Sequence, residues 1–208
     1  MGITSFGLFL LTAFLMNITP GTDTMYIVSR SVSQGKKAGI YSVLGISTGS
    51  LVHTFLAALG LSVILTTSVL LFTIIKIIGA GYLVYLGVRM LMQRSSDFQI
   101  TNTKEMSLKK IYIQGLLTNV TNPKVALFYI SFLPQFISGS NTHNALPFIV
   151  LGLTFVMTGT IWCLLVAVFS SFATKKLRNN PIVEFILNKI TGVIFIGLGI
   201  KLFQTKVS

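Results

Sequence analysis

Hydrophobic residues are concentrated in six long runs that are separated by short polar connections. A membrane-spanning helix needs about 20 consecutive, mostly apolar residues, and each run is long enough to supply them. The pattern therefore predicts an all-α polytopic membrane protein whose six transmembrane helices form one domain over residues 1–208. The predicted spans are residues 3–28, 39–65, 70–91, 111–137, 145–173 and 182–203.

The composition agrees with a membrane environment. Hydrophobic residues make up 52% of the chain and charged residues only 10%, whereas soluble domains carry about 25% charged residues. The mean hydropathy is +0.82. A net charge of +12 on a soluble fold would suggest nucleic-acid binding. This chain has too few polar residues for such a fold, so we expect a lipid bilayer and no nucleic acid as its surroundings.

The basic residues predict the orientation of the chain. If every run spans the membrane, three of the five connections lie on one side, and they hold eleven of the sixteen Lys and Arg residues. Positive charge marks the cytoplasmic side of membrane proteins. We therefore expect both termini to lie outside, although Lys201 and Lys206 are exceptions near the C-terminus. The eleven residues are Arg30, Lys36, Lys37, Arg89, Arg94, Lys104, Lys109, Lys110, Lys175, Lys176 and Arg178.

The chain divides into two halves of three spans, residues 3–91 and 111–203, joined by a polar linker over residues 92–110. The sequence Asn-Ile-Thr-Pro-Gly at 17–21 has a counterpart, Asn-Val-Thr-Asn-Pro, at 119–123. Because three is an odd number, the second half enters the membrane inverted. Inverted repeats with interrupted helices are typical of transporters that bind substrate near the midplane of the membrane.

A helix break is predicted in the first span at Pro20 and Gly21. Proline lacks a backbone donor and clashes with the preceding turn, and glycine loosens the chain further. Thr22 or Asp23 is then expected to cap the helix that restarts. A simple proline kink is the alternative interpretation.

The second half has a matching break, where Asn122 is predicted to be the N-cap and Pro123 the first helical residue. Each break would expose carbonyl groups of one half-helix and amide groups of the next. Carbonyl ends attract cations and amide ends attract anions. A zwitterion such as a free amino acid needs both, so the two breaks together predict an amino-acid site.

Ionisable side chains within the predicted spans are few, and a charge at the bilayer centre costs about 2.5–3.5 kcal/mol, so each is a functional candidate. Asp23 is the only carboxylate away from the span ends, since Glu184 lies at the edge of the sixth run. We expect it to form an ion pair with Lys124 in the empty protein, and a substrate carboxylate to take over Lys124 in the loaded one. A static structural ion pair is the alternative.

Other polar residues complete the candidate site. His53 either exchanges a proton with Asp23 or only forms a hydrogen bond with a neighbour. Lys76 also lies within a span, and the sequence identifies no partner for it. The remaining candidates for substrate binding and coupling are Asn17, Thr19 and Asn119.

Enzymatic chemistry is not expected from this sequence. Cys163 is the single cysteine, which excludes a thiol pair, and neither paired carboxylates nor a His-Glu metal motif occurs. We therefore expect no cofactor and no bound metal. Transport of another small solute or of a metal ion, and a non-enzymatic scaffold, remain as alternatives. Small residues around Gly45 and Gly49 predict close helix packing, within the bundle or at a homodimer seam.

Several motifs occur in a specific order. They are Pro-Gly-Thr-Asp at 20–23, Val-His at 52–53, Gly-Ala-Gly-Tyr-Leu-Val-Tyr-Leu-Gly at 79–87 and Leu-Thr-Asn-Val-Thr-Asn-Pro-Lys at 117–124. In order and spacing this chain resembles the LysE/RhtB family of amino-acid exporters.

The resemblance implies a multi-pass secondary transporter of the bacterial inner membrane that exports amino acids in exchange for protons. It also implies that six residues are important for function, namely Pro20, Gly21, Asp23, Asn122, Pro123 and Lys124. One departure concerns the position before Val-His, where many relatives have an acid and this chain has Ser50 and Leu51. That leaves Asp23 as the only acidic proton carrier expected in the interior of the spans.

Overall fold

The computed structural model describes residues 2–61, 69–92, 105–138 and 144–172, together with six single positions between 189 and 203. Within these residues the protein is helical, and one isolated β-bridge is the only extended pairing. The helices are α1 (Phe6–Ile18), α2 (Thr22–Leu56), α3 (Val69–Met92), α4 (Leu108–Val120), α5 (Pro123–Leu127) and α6 (Ala145–Phe172). A π-helical turn (Ala57–Leu61) follows α2, and a π-helical turn (Phe128–Phe132) and a 3₁₀ turn (Leu133–Phe136) follow α5.

The all-helical class is confirmed over this part of the chain. Two stretches, Thr22–Gly60 and Ala145–Phe172, are long and apolar enough to cross a membrane by length and composition. The count of six spans and the outward orientation of both termini stay predictions. The sixth predicted run, except for the single positions, and most of the 92–110 linker lie outside the described residues.

The first predicted span is broken where the sequence indicates. α1 ends at Ile18 and α2 begins at Thr22. The sequence predicts a connection between the first span, which ends at residue 28, and the second, which begins at residue 39. In the structure α2 runs through this region and is interrupted only at Gly35, whose φ of 80° is left-handed. Glycine adopts this conformation without steric cost. Ser31 and Gly39 lie side by side, so the two parts of α2, residues 22–34 and 36–56, fold back on each other.

The second break also matches the prediction. α4 ends at Val120, and Pro123 starts α5. Asn122 is the N-cap, and its Oδ1 accepts a hydrogen bond from the backbone N–H of Lys124 at 3.0 Å. Its backbone N–H in turn bonds to the carbonyl oxygen of Asn119 at 3.0 Å.

The second part of α2 packs closely on α4 through glycines. A Cβ at Gly45 would overlap the carbonyl oxygen of Tyr112, and one at Gly49 would lie 2.8 Å from Oδ1 of Asn119. On α4, a Cβ at Gly115 would lie 2.9 Å from a backbone oxygen of α2. The small residues at 45 and 49 therefore serve packing within the bundle and do not form a free surface for a dimer.

Contacts at the two ends of the bundle show how the broken segments run. At one end, the N–H of Thr4 donates to the carbonyl of Phe136 at 2.8 Å. At the other end, Arg30 donates to Oε1 of Gln114 at 3.2 Å, and Gln34 donates through Nε2 to the carbonyl of Met106 at 2.9 Å. The segment with the first break, α1 and the first part of α2, therefore runs antiparallel to the segment with the second break, α4 and α5. The two breaks meet at the same level.

The packing of α2 on α4 leads to a stability prediction. We expect Gly45→Ala to lower the free energy of unfolding by about 1–3 kcal/mol, because the new methyl group meets backbone and not a movable side chain. Gly81→Ala in α3 is the matched control, since no atom lies within 4 Å of the added Cβ. Thermal unfolding in detergent measures both variants. A Gly45→Ala protein as stable as the unchanged one would contradict the close packing.

Candidate functional site

A cavity of about 50 Å³ lies where the two helix breaks meet. Its walls come from α1, α2, α4, α5 and α6 and from the residues between α1 and α2 and between α4 and α5. The structure brings six of the seven predicted binding and coupling residues to this cavity, and His53 is the exception. The six are Asn17, Thr19, Asp23, Asn119, Asn122 and Lys124.

Asp23 is held by two asparagines from the other half of the chain. Its Oδ2 accepts from Nδ2 of Asn119 at 2.7 Å, and its Oδ1 accepts from Nδ2 of Asn122 at 3.0 Å. The prediction that Thr22 or Asp23 caps α2 is wrong, because Gly21 is the N-cap and no side chain caps the helix. The carboxylate instead reaches across to the second break.

The orientation of both asparagine amides follows from their other contacts. Oδ1 of Asn122 accepts the backbone N–H of Lys124, which can only donate. Oδ1 of Asn119 accepts from the hydroxyl of Ser50 at 3.2 Å. Each amide therefore presents its nitrogen to Asp23. The hydroxyl of Thr22 also donates to Oδ1 of Asp23 at 3.5 Å. A carboxylate has about four acceptor positions, so Asp23 retains the capacity to accept from one further donor.

Lys124 binds the end of α1. Its Nζ donates to the carbonyl oxygens of Met16 and Thr19, at 2.9 Å each. In a continuous helix, the carbonyl of Met16 would accept from the residue at position 20, but this residue is Pro20 and has no N–H. The lysine thus supplies the donor that the proline lacks. Two of its three N–H groups are used in this way.

The expected ion pair between Asp23 and Lys124 is absent from the structure, which describes both residues. Each charged group is bound by uncharged groups of the other half, and this is the physical reason for the difference. Both still reach the same cavity. Gly21 lies beside the lysine, and a Cβ at this position would be in ordinary van der Waals contact with it, 3.7 Å from both Cδ and Nζ of Lys124.

His53 lies behind the cavity wall. Its Nε2 is 3.2 Å from the carbonyl oxygen of Asn119, and its ring stacks on that of Tyr129 with 5.6 Å between the centroids. Of the two alternatives for this residue, the structure shows the hydrogen bond with a neighbour and no direct contact with Asp23. The side chain of Lys76 lies outside the described residues.

Two serines were not predicted as parts of the site. Ser50 bonds to Asn119, and Ser47 forms a 2.7 Å hydrogen bond with Thr160 of α6. Both line the cavity. Their spacing of three residues, with His53 three residues further on, places them on one face of α2. This spacing is the sequence pattern from which both serines could have been predicted as parts of the site.

The wall formed by α2 and α6 carries both apolar and polar side chains. Ile46, Phe155, Val156 and Cys163 line it together with Ser47, Ser50 and Thr160. Phe155 stacks on Phe128 with 4.5 Å between the ring centroids, which fixes its position. No group of three or more His, Cys, Asp and Glu side chains that could hold a metal occurs within the described ranges.

Comparisons with known proteins agree with this architecture. A family model described as LysE type translocator matches residues 14–206. The uncharacterized membrane protein YrhP of Bacillus subtilis is 37% identical over 91% of this chain and 93% of its own length. An uncharacterized membrane protein of Vibrio cholerae is 32% identical over 95% of this chain and 96% of its own length. A leucine efflux protein of Salmonella typhimurium is 27% identical over 97% of this chain and 95% of its own length.

No solved structure matches the chain. The family match spans both helix breaks and every residue that lines the cavity. It confirms the family that the sequence motifs indicate. The chain belongs to the LysE type translocator family and is therefore a transport protein of the membrane, not an enzyme.

Proposed function

We propose that this protein exports amino acids across the bacterial inner membrane in exchange for protons, as a multi-pass carrier with six spans. One observation carries the proposal. The cavity at the helix breaks contains one carboxylate and one ammonium group, Asp23 and Lys124, which are bound by separate partners and form no direct ion pair. A free amino acid carries the complementary pair of charges. The leucine efflux protein among the relatives supports this class of substrate.

The remaining hydrogen-bonding capacity at the two groups defines how a substrate binds. The substrate ammonium donates to the free acceptor position of Asp23, and its carboxylate accepts the third N–H of Lys124. The asparagines stay in place during this step, because Asn122 also caps α5. On first binding, the substrate thus connects the first break to the second while their existing contacts are still in place.

Proton exchange follows from competition at Asp23. A proton on the carboxylate removes its charge, and the substrate ammonium then loses its partner. The proton therefore binds on the outer side after the amino acid has left, and it leaves on the inner side before the next amino acid binds. One proton enters for each amino acid that is exported.

Lys124 couples binding to a change in shape. A substrate carboxylate attracts the ammonium away from the carbonyls of Met16 and Thr19, which weakens the hold of α5 on the end of α1. Such a loosening at the break gives α1 the freedom to tilt that alternating access requires.

The coupling step is tested by replacing Asp23. We expect Asp23→Asn to abolish export that is driven by a pH gradient, because the amide has nearly the same size but carries no proton between the two sides. The assay measures efflux of labelled amino acids from loaded vesicles, with and without the gradient. Glu105→Gln is the matched control, since Glu105 is exposed and lies outside the cavity. Gradient-driven export by Asp23→Asn at the unchanged rate would refute the coupling role.

The role of Lys124 is tested by Lys124→Gln. We expect transport at saturating substrate to fall by roughly tenfold or more, since the variant loses both a charged partner for the substrate and the donor for the carbonyls of α1. Lys110→Gln is the control, because Lys110 is exposed near the start of α4. Initial rates of counterflow over a range of substrate concentrations separate binding from turnover. Normal turnover in Lys124→Gln would exclude a role of Lys124 in coupling substrate binding to the change in shape.

A further inference from the structure

Charges at the cavity are limited to one of each sign. Of the eighteen residues that line it in the described part of the chain, only Asp23 and Lys124 are charged. The chain has four acids. Glu105 is exposed at the start of the second half, and Asp97 and Glu184 lie outside the described residues. The two cavity charges match the α-ammonium and α-carboxylate that every amino acid has, and leave no charged partner there for a side chain.

The wall formed by α2 and α6 offers apolar side chains to a substrate, beside the hydrogen-bonded hydroxyls of Ser47 and Thr160. Ile46 is buried in the small core cluster between α2 and α6, and Phe155 belongs to the larger cluster with Phe128 and Tyr129. Both side chains are therefore fixed by packing. Val156 also lines the cavity and is only partly buried, so an apolar substrate group can reach it.

We infer that the cavity selects amino acids with an uncharged aliphatic side chain, which packs against Ile46, Phe155 and Val156 while Asp23 and Lys124 take the α-ammonium and α-carboxylate. This inference rests on the proposed function and adds the substrate class to it. Packing of aliphatic carbon on this wall is favourable because it removes apolar surface from water.

Charged side chains are rejected because no oppositely charged group is available for them on this wall. The second ammonium of lysine or the second carboxylate of glutamate would have to leave water without a partner on this wall. Burying an unpaired charge is far more costly than burying a methyl group is favourable. We therefore expect aliphatic amino acids to be exchanged at least roughly tenfold faster than charged ones.

Counterflow into vesicles that contain the unchanged protein tests the selection directly. The probes are labelled valine, leucine, lysine and glutamate at equal concentrations. Rapid exchange of valine or leucine, with lysine and glutamate at least roughly tenfold slower, supports the inference. Exchange of lysine or glutamate as fast as leucine overturns the inference but leaves amino-acid transport intact. Exchange of none of the four overturns the proposed function itself.

A substitution in the wall tests the location of the side chain. We expect Val156→Asp to gain lysine exchange by roughly tenfold over Val156→Asn, because only the carboxylate can pair with the ammonium of the lysine side chain. Asparagine has almost the same shape as aspartate, so the comparison isolates the charge. Both variants are first shown to elute as the unchanged protein does in gel filtration. Equal lysine exchange by the two folded variants overturns the placement of the side chain at this wall.

Discussion

The carbonyl group of Met16 sets the central constraint of this structure. Pro20 stands where its helical donor would be, so the oxygen needs a partner from elsewhere. In a membrane, irregular backbone is tolerated only where protein or a wet cavity satisfies it. Lys124 provides the donor from the second half of the chain, and it bonds to Thr19 as well. The break in the first half is therefore stable only because the second half has its own break at the same level.

The dependence is mutual. The second break brings Asn122 to the start of α5, where its oxygen caps the helix and its nitrogen binds Asp23 of α2. One amide thus satisfies an exposed backbone N–H and also holds a carboxylate of the opposite half. Because each break completes the other, the end of α1 and the starts of α2 and α5 act as one mechanical unit. A ligand that changes one of these contacts acts on all of them.

Much of this arrangement is encoded locally and was accessible from the sequence. Pro20 and Pro123 predict the breaks, and the Asn-Pro pair predicts the cap of α5, because both signals depend only on neighbouring residues. The choice of partners is different. Asp23 was expected to cap α2 or to pair with Lys124, and it does neither, since the donors that reach it come from residues 96 and 99 positions away. Local rules contain no information about such contacts.

The separation of the two charges has an energetic consequence for transport. If Asp23 and Lys124 formed a direct buried ion pair, a substrate would first have to break it, and removing one partner of such a pair costs about 3–5 kcal/mol. In this structure uncharged amides and carbonyls hold each group, so both charges remain attractive to a ligand. In the proposed mechanism, the substrate adds a charge-assisted bond at each end without breaking an ion pair. A carrier must release its substrate as readily as it binds it, and a site with no ion pair to break and re-form suits this requirement.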